Sequence, residues 1–448
     1  LEEPKIKRDL TTGSILGNVL YMGIPSMIGF AAMVVYQLTD MFWVARLGTA
    51  EVAAVTLFGS FAWVISSVNS LVGSGSVAVI SRRFGERDFS GTANAIEQTL
   101  VMKFMVGVPM GVVGYLFIGR ILAIMTSDET LVALGVDYGS IFFLGLPFMF
   151  TSYSVYTALR GVGDAPKAMY IMLFSTGLNM ALDPLLIIRY GLGVRGAAAA
   201  TALSAFLAVI VGVAVLRFGR SAVRIRVRTF RFEWNVMTKI LKIGFPPFIE
   251  SIARSIAFWL LAIFVAVYGT VIVASYGICM RIVEFGIVFA VGLELGASAI
   301  VGQNIGAGNP KRAEATARNA ALLALAIALA LSVVEILFGQ QIMQVFGKSQ
   351  EVKTIGAGVL MYFAIGQPFV ATAIALSSAF YGSGNTWPPT ITGLLTSWVF
   401  QIPLTAVFVY VLKYTPNAMW TVMIFGHAIY LGMLLLWFRR GTWKEREV

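Results

Sequence analysis

The chain has 448 residues, of which 58% are hydrophobic and only 12% charged, with a mean hydropathy of +0.83. A soluble domain carries roughly 25% charged residues, so the composition excludes a soluble enzyme or binding module and points to a protein embedded in a bilayer. The net charge of +11 suggests nucleic acid, but no basic surface interleaved with stacking aromatics accompanies it, and a single cysteine, Cys279, excludes an intramolecular disulfide and a Cys-rich metal site.

In chain order, residues 1–13 are polar and read as a cytoplasmic segment. The first apolar stretch is too long for a signal-peptide core. Segments long enough to span, at about 20 apolar residues each, lie at 14–40, 51–79, 93–119, 131–156, 167–189 and 194–216. A basic linker, 217–236, separates them from a second set at 237–265, 271–300, 314–338, 353–380, 387–411 and 416–438, and a tail follows at 439–448. Gly23-Ile24-Pro25 recurs as Gly244-Phe245-Pro246 (244 − 23 = 221), and at the same offset Gly48-Thr49 recurs as Gly269-Thr270, Gly85 as Gly306 and Pro147-Phe148 as Pro368-Phe369. The chain therefore reads as an all-α membrane protein of twelve helices in two homologous lobes, 14–216 and 237–438. An even number of spans per repeat makes the repeats parallel, with the working cavity between them. Pro25 and Pro246 stand at matching places in the first helix of each lobe, where each can bend its helix.

Lys and Arg gather on one side: Lys5, Lys7 and Arg8 before the first span, Arg82, Arg83 and Arg87 in the first connection, Arg160, Lys167, Lys311 and Arg312 later, and Arg439 to Arg446 in the tail. The opposite side carries few, among them Arg46, Arg120, Lys348 and Lys413. The positive-inside rule then puts both termini in the cytoplasm of a multi-pass plasma-membrane protein. The linker run Arg217–Arg231, which includes Arg220, Arg226 and Arg228, reads as a solvated joint, with anionic head groups as the other reading.

Charges inside a bilayer are costly and by default mark function. The N-terminal half carries Asp40 and, in Asn179-Met180-Ala181-Leu182-Asp183-Pro184, Asp183; Asn179 and Asp183 share one helix face, as do Tyr36 and Asp40. At 1.5 Å per residue Asp40 lies about 39 Å and Asp183 about 24 Å from the inner start of its helix, and Thr201 about 10 Å from the outer face. All three fall in the outer half of the membrane. Two carboxylates, an amide oxygen and a hydroxyl suit a hard cation, and two neighbouring carboxylates in low dielectric tend to hold one proton between them. The competing readings are an interfacial acid at a helix end for Asp40 and a helix stop before Pro184 for Asp183. In the repeat, Asp40 falls on Leu261, and Leu182-Asp183-Pro184-Leu185 aligns with Gln401-Ile402-Pro403-Leu404 after a two-residue deletion, so the acids belong to one lobe. The second lobe carries Glu250 and Arg254, Arg281 and Glu284, and Glu294. Intrahelical or cross-helix ion pairs are the simplest reading; the alternative is that Glu250 or Glu284 faces the central cavity and helps to hold a cationic substrate. His427 reads as a polar helix contact.

Together, Gly23-Ile24-Pro25, Asp40, Gly145-Leu146-Pro147-Phe148, Arg160–Asp164, Asn179-x-x-x-Asp183-Pro184 and Gly302-Gln303-Asn304-Ile305-Gly306-Ala307-Gly308 resemble the multidrug and toxic compound extrusion (MATE) family. The branch resembled is the one containing the DNA-damage-inducible F-type (DinF-like) proteins. The resemblance implies a V-shaped pair of lobes and export of organic, often cationic, compounds driven by inward H⁺ or Na⁺. It implies a coupling-ion network at Asp40, Asn179, Asp183 and Thr201, with Tyr36 and Tyr138 as neighbours, no other cofactor, and function as a monomer. Other branches carry an acid two turns beyond the helix-7 proline; here Arg254 stands there and Glu250 a turn earlier, so a C-lobe ion site of that type is not implied. A flippase for lipid-linked substrates is the alternative within the superfamily. An enzyme is not expected: there is no H-E-x-x-H or G-x-S-x-G, and Gly347-Lys348-Ser349 lacks the first glycine of a P-loop, where Ile342 stands.

Overall fold

The computed structural model describes residues 8–218, 221–225, 230–347 and 349–445. Lys5, Lys7, Arg220, Arg226, Arg228, Lys348 and Arg446, which enter the charge and P-loop readings above, lie outside these residues. Twelve helices are long and apolar enough to cross a bilayer: α1 (Ile15–Ala45), α2 (Thr49–Gly85), α3 (Phe89–Met125), α4 (Glu129–Gly161), α5 (Ala165–Arg189), α6 (Val194–Phe218), α7 (Trp234–Ala266), α8 (Thr270–Gly306), α9 (Pro310–Phe346), α10 (Gln350–Ser383), α11 (Trp387–Val411) and α12 (Pro416–Arg440). Side-chain caps start several of them. Ser14 accepts from the N–H of Gly17, Asp88 from Gly91, Asp128 from Thr130 and Leu131, and Ser349 from Val352, each satisfying orphan first-turn donors.

The duplication holds in three dimensions. α2, α3 and α8, α9 begin and end 221 residues apart (270 − 49, 306 − 85, 310 − 89, 346 − 125). Within each half the same neighbours pack: α3 on α4 as α9 on α10, α4 on α6 as α10 on α12, and α1 on α5 as α7 on α11. Between halves α1 packs on α8 and α2 on α7, a pair the repeat exchanges, while α2 meets α8 at the pseudo-axis. These contacts run through glycines. A methyl group on Gly75 would overlap the carbonyl of Ile240 and one on Gly244 that of Leu71; across the axis, one on Gly85 would overlap the carbonyl of Gln303 and one on Gly306 that of Arg82. The last two contacts are one contact repeated (303 − 82 = 221), so backbone meets backbone there because no side chain intervenes.

Prolines are absorbed differently from the simplest expectation. α1 continues through Pro25 as one helix. Pro184 does not stop α5: the chain passes from α winding at Asp183 into wider π-type turns over Pro184–Arg189, and α11 makes the same change over Leu395–Gln401 and Val407–Val411. At Pro184 the wider winding accommodates a residue that can neither donate an N–H nor fit a tight turn, whereas Pro403 of α11 lies in the α-wound stretch Ile402–Ala406 between the two π turns.

At the end of the bundle that carries residues 8–13 and 439–445, each half is strapped to the other by the segment before its first helix. The carbonyl of Leu10 accepts from Asn304 on α8 (3.2 Å), and Arg312 on α9 donates to the carbonyls of Thr12 (2.5 Å) and Gly13 (2.8 Å). In the repeat (231 − 10 = 221), the carbonyl of Arg231 accepts from Gln98 on α3 (2.6 Å), and Asn94 donates to Glu233 (2.8 Å). The linker is not simply a solvated joint, because Val223 and Ile225 are buried in the core between α2, α3, α4 and α6. Asp9 adds an ion pair to Arg87 at 2.7 Å. Partial burial pushes the Asp9 carboxyl up, but bonds from the Thr11 hydroxyl and N–H, with the Arg87 guanidinium, outweigh it and hold Asp9 below its ordinary 3.8. A folded-state value below the unfolded one adds stability above pH 3.8 that disappears as the pH falls through the lower value. Arg87→Ala is therefore expected to lower thermal stability by at most about 1 kcal/mol at neutral pH, for a partly exposed pair. Unfolding scans should show that difference fade in acid.

Candidate functional site

Asp183 sits at the junction of α and π winding in α5. It is fully buried, and neither carboxylate oxygen has a hydrogen-bond partner. One turn earlier, Asn179 is 2% exposed and donates through Nδ2 to the Thr201 hydroxyl of α6 at 3.3 Å, which leaves its Oδ1 without a donor. From α1, Asp40 presents a buried Oδ1 that is also unpartnered. The two carboxylates lie close enough for their charges to repel. Tyr36, one turn before Asp40, and Tyr138, from α4, both feel the charge of both acids. The structure thus brings together all six residues singled out in the first lobe: Asp40, Asn179, Asp183, Thr201, Tyr36 and Tyr138. Four acceptor oxygens without donors, from three side chains, and a neighbouring hydroxyl form a pocket that is electrostatically unfinished. An unmet buried carboxylate costs several kcal/mol, and a proton or a small hard cation with oxygen preference would complete the set. Among the described residues no group of three or more His, Cys, Asp or Glu side chains is placed to hold a metal ion.

The structural register corrects one alignment. α5 and α11 start and end 222 residues apart (387 − 165, 411 − 189), so Asp183 corresponds to Thr405 and Asn179 to Gln401, rather than Asp183 to Ile402. The second lobe carries a neutral version of the pocket: Gln401 and Thr405 are buried, and the Thr405 hydroxyl is unpartnered.

In that lobe Glu250 is 5% exposed and pairs with Arg254, Nη1 to Oε1 3.3 Å, while the Arg254 side chain is 68% exposed. Tyr381 and Tyr430 lie within electrostatic reach of both, and of Glu294. Arg281 and Glu284 attract one another but form no ion pair among the described residues, so the intrahelical pairing expected of both couples holds for the first alone. Both are exposed on α8. His427 packs on α12 against Gly366, with its Nδ1 buried and unpartnered.

Three buried charges escaped the sequence reading. Lys103 of α3 is 1% exposed, bonds both the main-chain and side-chain oxygens of Asn69, and faces the ring of Phe150. Arg160 is 3% exposed, with Nε and Nη1 unpartnered and Glu294 of the other lobe nearby. Glu335 of α9 is 6% exposed. The signal was available for Lys103 and Glu335, each a lone charge inside an apolar run.

The MatE family model matches this chain twice, over residues 25–185 and 246–407, once in each lobe. The chain belongs to the MATE family. It is similar over its full length to the probable multidrug resistance protein YoeA of Bacillus subtilis (27% identical, covering 98% of that protein). Over 64% of its length, and 64% of the relative's, it is 28% identical to the multidrug export protein MepA of Staphylococcus aureus. Among solved structures it resembles an outward-facing multidrug resistance MATE transporter of the MOP superfamily, with TM-score 0.91, 27% identity and all of both chains covered. It also resembles a MOP superfamily transporter from Pyrococcus furiosus, described as having a binding pocket of reversed polarity, with TM-score 0.90, 27% identity and 98% of each chain covered. The two-lobe, twelve-helix architecture is thus that of the MATE and MOP transporters, and a member of this family is a multi-pass membrane transport protein, not an enzyme.

Proposed function

We propose that this MATE protein is a multidrug exporter that moves organic, often cationic, compounds out across the plasma membrane in exchange for inward H⁺ or Na⁺. The observation that carries the reading is the set of unpartnered oxygens of Asp40, Asn179 and Asp183 beside Thr201 in the first lobe. With the pocket empty of a cation, two carboxylates repel. Neutralising either relieves the repulsion and changes how α1 packs against α5 and α6, with Pro25 as the softened point. Since α1 also packs on α8, that change reaches the cleft between the lobes. A cation shifts such an equilibrium only by its differential affinity for the two states, and a pocket finished in one state and open in the other provides it. The charge distribution on Lys and Arg favours cytoplasmic termini, and a chain with its cleft between its own two lobes can work as a monomer. A lipid-linked pyrophosphate flippase is less well supported, because Arg254 is already paired with Glu250.

Proteoliposomes with an imposed pH gradient or an imposed Na⁺ gradient, tested with a panel of organic cations, examine this directly. One gradient is expected to drive accumulation of cations, and Asp40→Asn to remove the drive. Gradient-driven transport by Asp40→Asn at the wild-type rate would contradict the reading.

A further inference from the structure

We propose that Glu335 is a second proton-binding site, in the C-terminal lobe and separate from Asp40 and Asp183. Glu335 lies on α9, roughly 16 Å from its Phe346 end at 1.5 Å per residue, within an apolar span. The side chain is 94% removed from solvent by its neighbours, since 6% remains exposed. Its partner is Gln367 of α10, itself 1% exposed, whose terminal amide stands 2.7 Å from Oε2 and 3.2 Å from Oε1; turned one way the amide offers its nitrogen to a carboxylate, turned the other its oxygen to a protonated carboxyl. Cys279 of α8 lies within electrostatic reach of Glu335, and its thiol donates to the carbonyl of Gly356 (3.2 Å). Gly286 of α8 lies against the Gln367 amide and adds no charge. Ser332, one turn before Glu335 on its own helix, donates to the carbonyl of Ala364 on α10. No Lys, Arg or His among the described residues pairs with Glu335.

One neutral amide cannot offset a full charge in this setting, where an uncompensated ion costs several kcal/mol. A carboxyl group that keeps its proton can instead donate its O–H to the amide oxygen of Gln367 turned toward it, and the pair is then neutral. The repeat argues that this pair is not a requirement of the fold. At the equivalent places in the first lobe (335 − 221 = 114; 367 − 221 = 146) stand Gly114 and Leu146, and the first lobe packs there with aromatic rings. The site therefore differs from the N-lobe pocket in helix, lobe and chemistry. It offers one acid and one amide, suited to a proton, where the other offers several oxygens suited to either ion. Glu335 can exchange its proton only when α9 and α10 part.

The inference rests on the buried pair and not on the coupling site proposed above, so each can fail alone. Infrared difference spectra of the purified protein in lipid, in wild type, Glu335→Gln, Gln367→Leu and Asp183→Asn, test it. The expected result is a protonated-carboxyl band at neutral pH that Glu335→Gln removes, Gln367→Leu moves to higher frequency as the acid loses its amide bond, and Asp183→Asn leaves in place. A band region identical in wild type and Glu335→Gln, with Gln367→Leu also unchanged, would overturn the proposal.

Discussion

Asp183→Asn is expected to reduce ion-driven efflux by roughly 5- to 150-fold, the range of a coupling free energy of 1–3 kcal/mol, while leaving the protein folded. The substitution keeps the shape of the side chain and removes a buried carboxylate whose two oxygens have no partner. Removing an uncompensated buried charge does not weaken a fold and can strengthen it, so thermal unfolding should occur at or above the wild-type temperature. Binding of an organic cation in detergent should persist, because the acid is in the wall of the first lobe and not among the Glu250, Arg254, Tyr381 and Tyr430 group of the second. A variant that loses stability together with transport would instead make Asp183 a structural residue. Asp183→Ala should behave worse than Asp183→Asn in stability, since it leaves a void beside Asn179.

Valine at Gly244 or at Gly306 is expected to have the largest effect on the assembled protein. The obstruction at Gly244 is the main-chain carbonyl of Leu71 and at Gly306 that of Arg82, and neither can rotate away as a side chain can. Overpacking costs about 1–3 kcal/mol where side chains yield; here whole helices must separate, so the upper end of that range or more is expected. The measurement is thermal unfolding in detergent alongside transport, with Gly277→Ala as the control. Gly277 is exposed on α8 and a methyl group there meets nothing within 4 Å, so that change should be neutral or slightly stabilising. Gly85→Val should reproduce Gly306→Val, because the two positions occupy the same contact in the two halves. Unequal effects would show that the lobes do not share it evenly.

The bilayer made much of this architecture legible before coordinates. A span has few solutions for its backbone donors, so apolar length translates into helices, and a fixed offset of 221 translates into paired lobes. What length could not show is where helices end. α1 runs to Ala45 and α2 to Gly85, beyond the apolar limits of 40 and 79, because polar helical turns persist past the hydrocarbon. The acids were legible through the i, i+4 spacing of Asn179 and Asp183 and through depth, which needs only a rise per residue. The behaviour of Pro184 was not, since a proline's effect depends on whether the helix can widen, and that is decided by packing. The repeat slipped by one residue in the loop around Gly384-Asn385-Thr386, and a local motif match at Pro403 therefore misplaced Asp183 by three positions from Thr405. Arg160 was read as a turn residue carrying positive charge; its burial depends on the opposite lobe, which no local pattern contains.

On the proposed mechanism the oxygens of Asp40, Asn179 and Asp183 take up a small cation. Uptake of radioactive Na⁺, and of protons by indicator dye in weak buffer, can be counted on purified protein in wild type and in the Asp40→Asn/Asp183→Asn double variant. Saturable uptake of one of the two ions is expected for the wild type and is expected to be absent from the double variant. Equal uptake by both proteins, for Na⁺ and for protons alike, would contradict it.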